Sequence, residues 1–179
     1  MRALVRWQRR RCGRRPTPRV AIIDTQSVPC IGVRGPRGSD GAKKLVGRKR
    51  VALVDAEGHI LARAVEPANV QDRDTLAALD DGKEQWPSLS LAILDGAITA
   101  ERCREWCHIP GMRHRVVEKE PDQTGVVVLE RRWVVERTFG WLGHWGGLLR
   151  ERAGRLDVAT SRLARLASLM AARALNNLA

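Results

Sequence analysis

Val20-Ala21-Ile22-Ile23-Asp24 is the stretch on which the reading of this chain turns. Four apolar residues, three of them β-branched, end in a carboxylate, which reads as a short buried strand closed by an acid. The pattern recurs in Leu91-Ala92-Ile93-Leu94-Asp95, at the end of a strand expected over 88–95. A third acid, Glu136, lies inside Arg131-Arg132-Trp133-Val134-Val135-Glu136-Arg137-Thr138-Phe139, part of a helix expected over 130–142. By itself, an Asp at a strand end more often closes a turn than holds a ligand. By itself, Arg132 with Glu136 is an i, i+4 surface pair worth a few tenths of a kcal/mol, on the order of 0.3. Two strand-end acids with one helical acid make a different object: a set of hard oxygen donors of the kind magnesium or manganese takes.

Outward from these three acids the elements alternate. Residues 51–65 read as a β-hairpin turning at Asp55-Ala56-Glu57-Gly58. Asp55 is expected as a turn residue, and Asp72 as the start of a short helix reaching Asp80. A further helix runs from Ala100 to Cys107, with Thr99 as its cap and Pro110 beyond its end. His114 to Lys119 is a strand. Residues 159–175 form an amphipathic helix with Leu163, Leu166, Leu169 and Met170 inward, and Arg162, Arg165 and Arg173 largely outward. Trp133 and Trp141, at helical spacing, read as core. Cys103 and Cys107 also read as core, because no second ligand pair completes a zinc site. Residues 29–50 hold five glycines and two prolines, which excludes a long helix and points to a mobile basic loop. The order of elements gives an α/β fold, a mixed sheet flanked by helices.

Charge narrows the class of partner. The 179 residues carry a net charge of +12. Residues 1–50 hold fifteen Lys or Arg against only Asp24 and Asp40, so the whole excess lies there. Such asymmetry points to nucleic acid. Residues 1–19, with eight Arg, read as a basic arm that is solvated and partly disordered at least over 9–19. Apolar runs fall well short of the roughly 18 residues of a membrane span. Four cysteines at this length suit a reduced, cytosolic compartment better than a disulfide scaffold.

Several longer stretches carry a resemblance. They are Ala21-Ile22-Ile23-Asp24-Thr25-Gln26-Ser27-Val28, Gly47-Arg48-Lys49-Arg50 with Leu53-Val54-Asp55, and Pro67-Ala68-Asn69-Val70-Gln71-Asp72-Arg73-Asp74. Leu94-Asp95-Gly96 follows, then Gly125-Val126-Val127-Val128-Leu129 running into Arg131 to Leu142. In this order they resemble the catalytic domain of DDE-type bacterial insertion-sequence transposases, the insertion-sequence-five group, over residues 20–150. The resemblance implies an RNase H-like fold, with Asp24, Asp95 and Glu136 as a triad holding two Mg²⁺ or Mn²⁺ ions. On that resemblance one ion would activate water and then the freed 3′-hydroxyl, and the other would stabilise the departing oxygen. The implied partners are double-stranded DNA, both transposon ends and target, and further copies of the chain on that DNA. No membrane partner is expected, and the implied setting is the bacterial cytoplasm at the nucleoid.

Lys43, Lys44, Arg48, Lys49 and Arg50 are expected to grip phosphates without reading bases, with Arg132 and Arg137 as further DNA contacts. The chain departs from its relatives in places. Leu129 stands where many have tyrosine, Gly96-Ala97-Ile98 follows Asp95 where a tyrosine is common, and Gly143-His144 stands where a basic residue is usual. Only 23 residues precede Asp24, where full-length relatives have a helical DNA-binding region. The expected organisation is a basic arm (1–19), a catalytic domain (20–150) and a helical segment packing on it (151–179), with a possible separate N-terminal DNA-binding partner. Two other readings stay open: a folded, inactive DNA-binding remnant, and a metal-dependent nuclease without strand transfer.

Overall fold

Two layers of helix sandwich one mixed sheet in the computed structural model, which describes residues 1–96, 100–108, 112–117 and 132–176. The strands are β1 (Val20–Pro29), β2 (Gly38–Asp40), β3 (Leu45–Val54), β4 (Ile60–Pro67), β5 (Leu91–Asp95) and β6 (Arg113–Val117). Their spatial order is β2-β3-β1-β5-β6, with β4 also paired to β3. β1 is antiparallel to β3 and parallel to β5, and β5 is parallel to β6. The helices are α1 (Arg2–Arg11), α2 (Asp80–Gln85), α3 (Ala100–Trp106), α4 (Trp133–Gly143) and α5 (Leu156–Asn176). A 3₁₀ helix, Asp72–Leu79, leads into α2. This is the RNase H-like arrangement expected from the sequence.

Alternation along the strands assigns each side chain to a layer. Ala21, Ile23, Val51, Leu53, Ala92 and Leu94 face one way, onto Leu76, Leu79, Trp86, Cys103, Trp106 and Cys107. Ile22, Ala52, Val54 and Ile93 face the other, onto Val135, Phe139 and Leu142 of α4 and Ala159 and Leu163 of α5. The hairpin turns where expected, and Asp55 accepts backbone hydrogen bonds from Glu57 and His59 at 2.9 Å each. The buried cysteines are core residues, as their helical spacing indicated.

Four expectations need correction. Residues 1–19 are not a loose arm. Val5 and Gln8 of α1 are buried, and the Gln8 side-chain amide donates to the Ala171 carbonyl at 2.7 Å. The guanidinium groups of Arg2 and Arg6 stand over the buried Trp86 ring at 5.8 and 6.0 Å. Arg14 pairs with Glu57 at 3.3 Å, and the Pro18 carbonyl accepts from Ser88 at 2.7 Å. Long arginine stems cover apolar surface while their charged ends find partners, so a run of Arg need not be solvated chain.

Residues 29–50 are not one mobile loop: ten of the 22 lie in strands, with β2 paired to β3 and β3 paired to β1, and the rest connect them. Gly47 makes that junction possible: a Cβ there would stand 1.9 Å from the Val28 carbonyl oxygen. Trp133 and Trp141 are exposed, not core. At 100° per residue, Trp133 lies opposite the buried Val135, Phe139 and Leu142. Leu169 of α5 is exposed too, while Ala159, Leu163 and Ala167 form the buried stripe. Thr99, the strand end at Lys119, the helix start at Glu130, the stretch 125–129 and the side chain of Arg173 lie outside the described residues.

Candidate active site

Parallel pairing of β1 with β5 stops at Ile22 opposite Ile93. Beyond that pair, β1 continues alongside β3, with Asp24 opposite Ala52, while β5 continues alongside β6, with Asp95 opposite Val117. Asp24 and Asp95 each stand two residues past the last shared pair, at the fork. A period of two turns both toward the layer of Ile22 and Ile93, which is the layer of α4. Arg132, at the start of α4, and Glu136, one turn on, share one flank of that helix and face the fork.

Arg132 joins the three acids. Its Nη2 lies 2.8 Å from Asp95 Oδ2 and 3.8 Å from Asp24 Oδ2, and its Nε lies 3.8 Å from Glu136 Oε1. The site is graded from inside to outside: side-chain exposure is 14% at Asp24, 32% at Asp95 and 57% at Glu136.

The surroundings of Asp24 perturb it strongly. Burial raises its pKa to about 6, and Asp95 and Glu136 add to the rise, against the Thr25 N–H and the Arg132 charge. The Thr25 backbone N–H donates to Asp24 Oδ1 at 2.8 Å. Thr25 is held in turn, its hydroxyl donating to Asp72 Oδ1 at 3.1 Å, and Lys49 Nζ lies 2.6 Å from the same oxygen. Thr25, Asp72 and Lys49 thus brace Asp24 from behind. Asp72 begins its helix, as expected, and also stands behind the site, the lesser of the two roles its sequence setting offers.

The raised pKa has a consequence for stability. The folded protein holds the Asp24 proton more tightly than the unfolded chain does. The stability this contributes is complete below the unfolded value of 3.8 and is lost as pH rises through about 6. Asp24→Asn removes that dependence. It is expected to stabilise the protein by about 1–3 kcal/mol at pH 7.5 relative to its effect at pH 4. Urea melts of both proteins at the two pH values measure it; an equal difference at both would sink the assignment.

The residues expected to grip DNA separate into two groups. Lys43 and Lys44 are exposed at the tip between β2 and β3. Arg48, Lys49 and Arg50 are buried, with 1%, 6% and 1% of their surface exposed, so the expectation that they grip phosphates at the surface is corrected. Arg48 donates to the carbonyls of Pro36 at 2.8 Å and Gly154 at 3.2 Å. Lys49 donates to Val70 O at 2.6 Å; Arg50 donates to Leu148 O at 2.6 Å and lies 3.8 Å from Glu151. Their charges are consumed in tying β3 to the surrounding loops. Arg137 turns away from the acids, donates to Glu57 O at 2.9 Å and stacks between Trp133 and Trp141 at 4.6 and 4.4 Å.

Among the described residues, no three His, Cys, Asp or Glu side chains form a ready-made metal cage. The guanidinium stands between the acids instead. The donor set nonetheless fits a hard divalent cation. All three carboxylates gather on a positive group, and burial beside two other acids leaves Asp24 reluctant to ionise, which a stronger cation would reverse. No helix among the described residues is long and apolar enough to cross a membrane. No curated protein matches the chain. The model of the transposase DDE domain family does match, over residues 15–172. That span takes in the strands, the fork with both Asp residues, and α4 with Arg132 and Glu136: the chain belongs to the transposase DDE domain family.

Proposed function

We propose that this chain cuts DNA at the ends of an insertion sequence of the insertion-sequence-five group and joins the freed 3′ ends to target DNA. The family as a whole carries out metal-dependent DNA cleavage and transfer. One observation supports the reading: a carboxylate within β1, one at the end of β5 and one on α4 gather on a single cationic group. Asp24, Asp95 and Glu136 would hold two Mg²⁺ or Mn²⁺ ions, with residues 20–150 as the catalytic part. Bound there, the ions supply charge stabilisation for in-line transfer at a phosphate.

The chain's own residues do the placing. Thr25, backed by Asp72 and Lys49, fixes the Asp24 carboxylate. The end of β5 fixes Asp95, and the α4 core of Val135, Phe139 and Leu142 fixes the flank that carries Glu136. Burial of Asp24 keeps bulk water from the inner end of the site. Several copies acting together on DNA, a separate N-terminal DNA-binding partner and residence in the bacterial cytoplasm at the nucleoid complete the proposal. The test is incubation of the chain with duplex DNA bearing candidate ends, in Mn²⁺, followed by a strand-transfer assay. Cleavage with joining is expected. Cleavage without joining would convert the reading to a nuclease, and neither, with any DNA-binding partner supplied, to an inactive remnant.

Duplex binding is expected to depend on the exposed lysines. Lys44 stands eight positions before Ala52, the residue of β3 opposite Asp24, about 27 Å at ~3.4 Å per residue. A duplex turn of roughly 34 Å spans that interval. Replacing Lys43 and Lys44 together by Ala is expected to flatten log affinity against log salt by up to about 0.9 for each phosphate no longer neutralised. An unchanged slope would move the DNA track to another face.

A further inference from the structure

Arg132 occupies the point at which the three acids meet, and its fit there is incomplete. It lies close to Asp95, at 2.8 Å, and further from Asp24 and Glu136, at 3.8 Å each. Its buried Nε has no hydrogen-bond partner among the described residues. A magnesium ion takes carboxylate oxygens at about 2.0–2.1 Å. An ion at Asp95 Oδ2 and a guanidinium 2.8 Å from the same oxygen compete for one place. The backbone of Arg132 is fixed, because its carbonyl accepts from Val135 N at 3.1 Å in the first turn of α4. The side chain can therefore leave without disturbing the helix that carries Glu136.

We propose that Arg132 is a built-in competitor of the metal: its guanidinium closes the acid cluster in the metal-free protein, yields Asp24 and Asp95 to an entering divalent cation, and then takes a DNA phosphate. The proposal rests on the reading of Asp24, Asp95 and Glu136 as the metal site. It adds an order of events: metal first, then a guanidinium released at the edge of the site, on the flank where DNA arrives. With all three acids ionised the cluster carries −3; the guanidinium offsets one of these charges, and a divalent ion in its place offsets two. A released guanidinium then needs a new anion, and a phosphate diester satisfies its paired donors. The opposite role, a permanent scaffold that orients the acids for metal, makes the opposite prediction.

The test uses Arg132→Met, which keeps the stem and removes the charge. Mn²⁺ is titrated into DNA-free protein and the free ion is followed by electron paramagnetic resonance. The Met variant is expected to bind Mn²⁺ at least about tenfold more tightly than the parent, a difference of about 1.4 kcal/mol. Mn²⁺ should also raise its melting temperature more than the parent's. Binding by folded R132M that is equal to or weaker than the parent's would overturn the proposal. Should the Met variant not fold, Arg132→Lys replaces it. A lysine keeps one charge but lacks the planar fork, so its Mn²⁺ affinity should still exceed the parent's, and affinity no higher than the parent's overturns the proposal equally. The second half is read from binding to a random-sequence duplex. Parent and R132M should bind alike in chelator, and the parent several-fold more tightly in saturating Mn²⁺; one ratio in both conditions would exclude the release to phosphate. Asp24→Asn in the R132M background separates the two ideas. Loss of Mn²⁺ binding there supports the triad, whereas retained binding places the metal elsewhere and removes the underlying reading itself.

Discussion

The substitutions Asp24→Asn, Asp95→Asn and Glu136→Gln are each expected to lower metal-dependent DNA cleavage by on the order of 10³-fold or more, at least about 4 kcal/mol of transition-state stabilisation. The amide keeps the shape of each side chain and removes the charge that holds a hard cation. The three losses should be of similar size, since groups that build one site do not contribute additively. Misfolding is a poor alternative explanation at Asp24, where burial beside two acids makes loss of the charge favourable to the folded state above about pH 6. Gel assays of end-bearing duplex in Mn²⁺, with melting curves and DNA binding measured on the same preparations, check each variant. Cleavage that survives in all three would move the active site elsewhere.

The second large effect concerns stability. Asp55 is fully buried at the hairpin turn. Its carboxylate accepts from Glu57 N, His59 N, His59 Nδ1 at 3.0 Å, and the Arg9 guanidinium of α1. Burial alone would raise its pKa, but the His59 hydrogen bonds and the Arg9 charge outweigh it and hold the carboxyl below its ordinary range. Asp55→Ala strands a buried guanidinium and two backbone N–H groups, and is expected to cost about 3–5 kcal/mol. For a domain of this size that is a fall in melting temperature of roughly 6–20 °C. Calorimetry at pH 7 tests it. Asp157→Ala, in a fully exposed pair with Arg155, should leave the melting temperature unchanged. If the two variants melt alike, α1 is not anchored through Asp55.

What the sequence made legible follows from what physical pattern it carried. The strand cores leading into Asp24 and Asp95 were readable from their short aliphatic runs, but only β5 ends at its acid; β1 was expected to close at Asp24 and instead runs on to Pro29, because its pairing with β3 continues. Glu136 was readable because its helix presents a regular apolar face. β2 and the first half of β3 were not, because Gly38 to Arg50 shows basic and glycine residues where a buried strand ordinarily shows aliphatic ones. Arg48 and Arg50 are buried through carbonyls of residues 12 to 106 positions away, a match no local window contains. The support of Asp24 by Thr25 and Lys49 was hidden for the same reason. Trp133 and Trp141 misled because helical spacing says that two residues share a face, not which face. The helical wheel decides it, given Val135, Phe139 and Leu142. α1 misled by composition: eight Arg in nineteen residues mask the spacing of Met1, Val5 and Gln8.

Gln8 of α1 and Ala171 of α5 are bonded across 163 positions. On a ribosome adding roughly 5–20 residues per second, their meeting is delayed by about 8–30 s. Throughout that interval the first helix has its partners at Asp55 and Trp86 but not the one on α5. The acids, too, are made at widely separated times, Asp24 early and Glu136 late. On the proposed reading, a chain stopped before α4 carries the basic first 50 residues without Glu136, so the order of synthesis places the segment proposed to attract DNA ahead of the complete acid cluster.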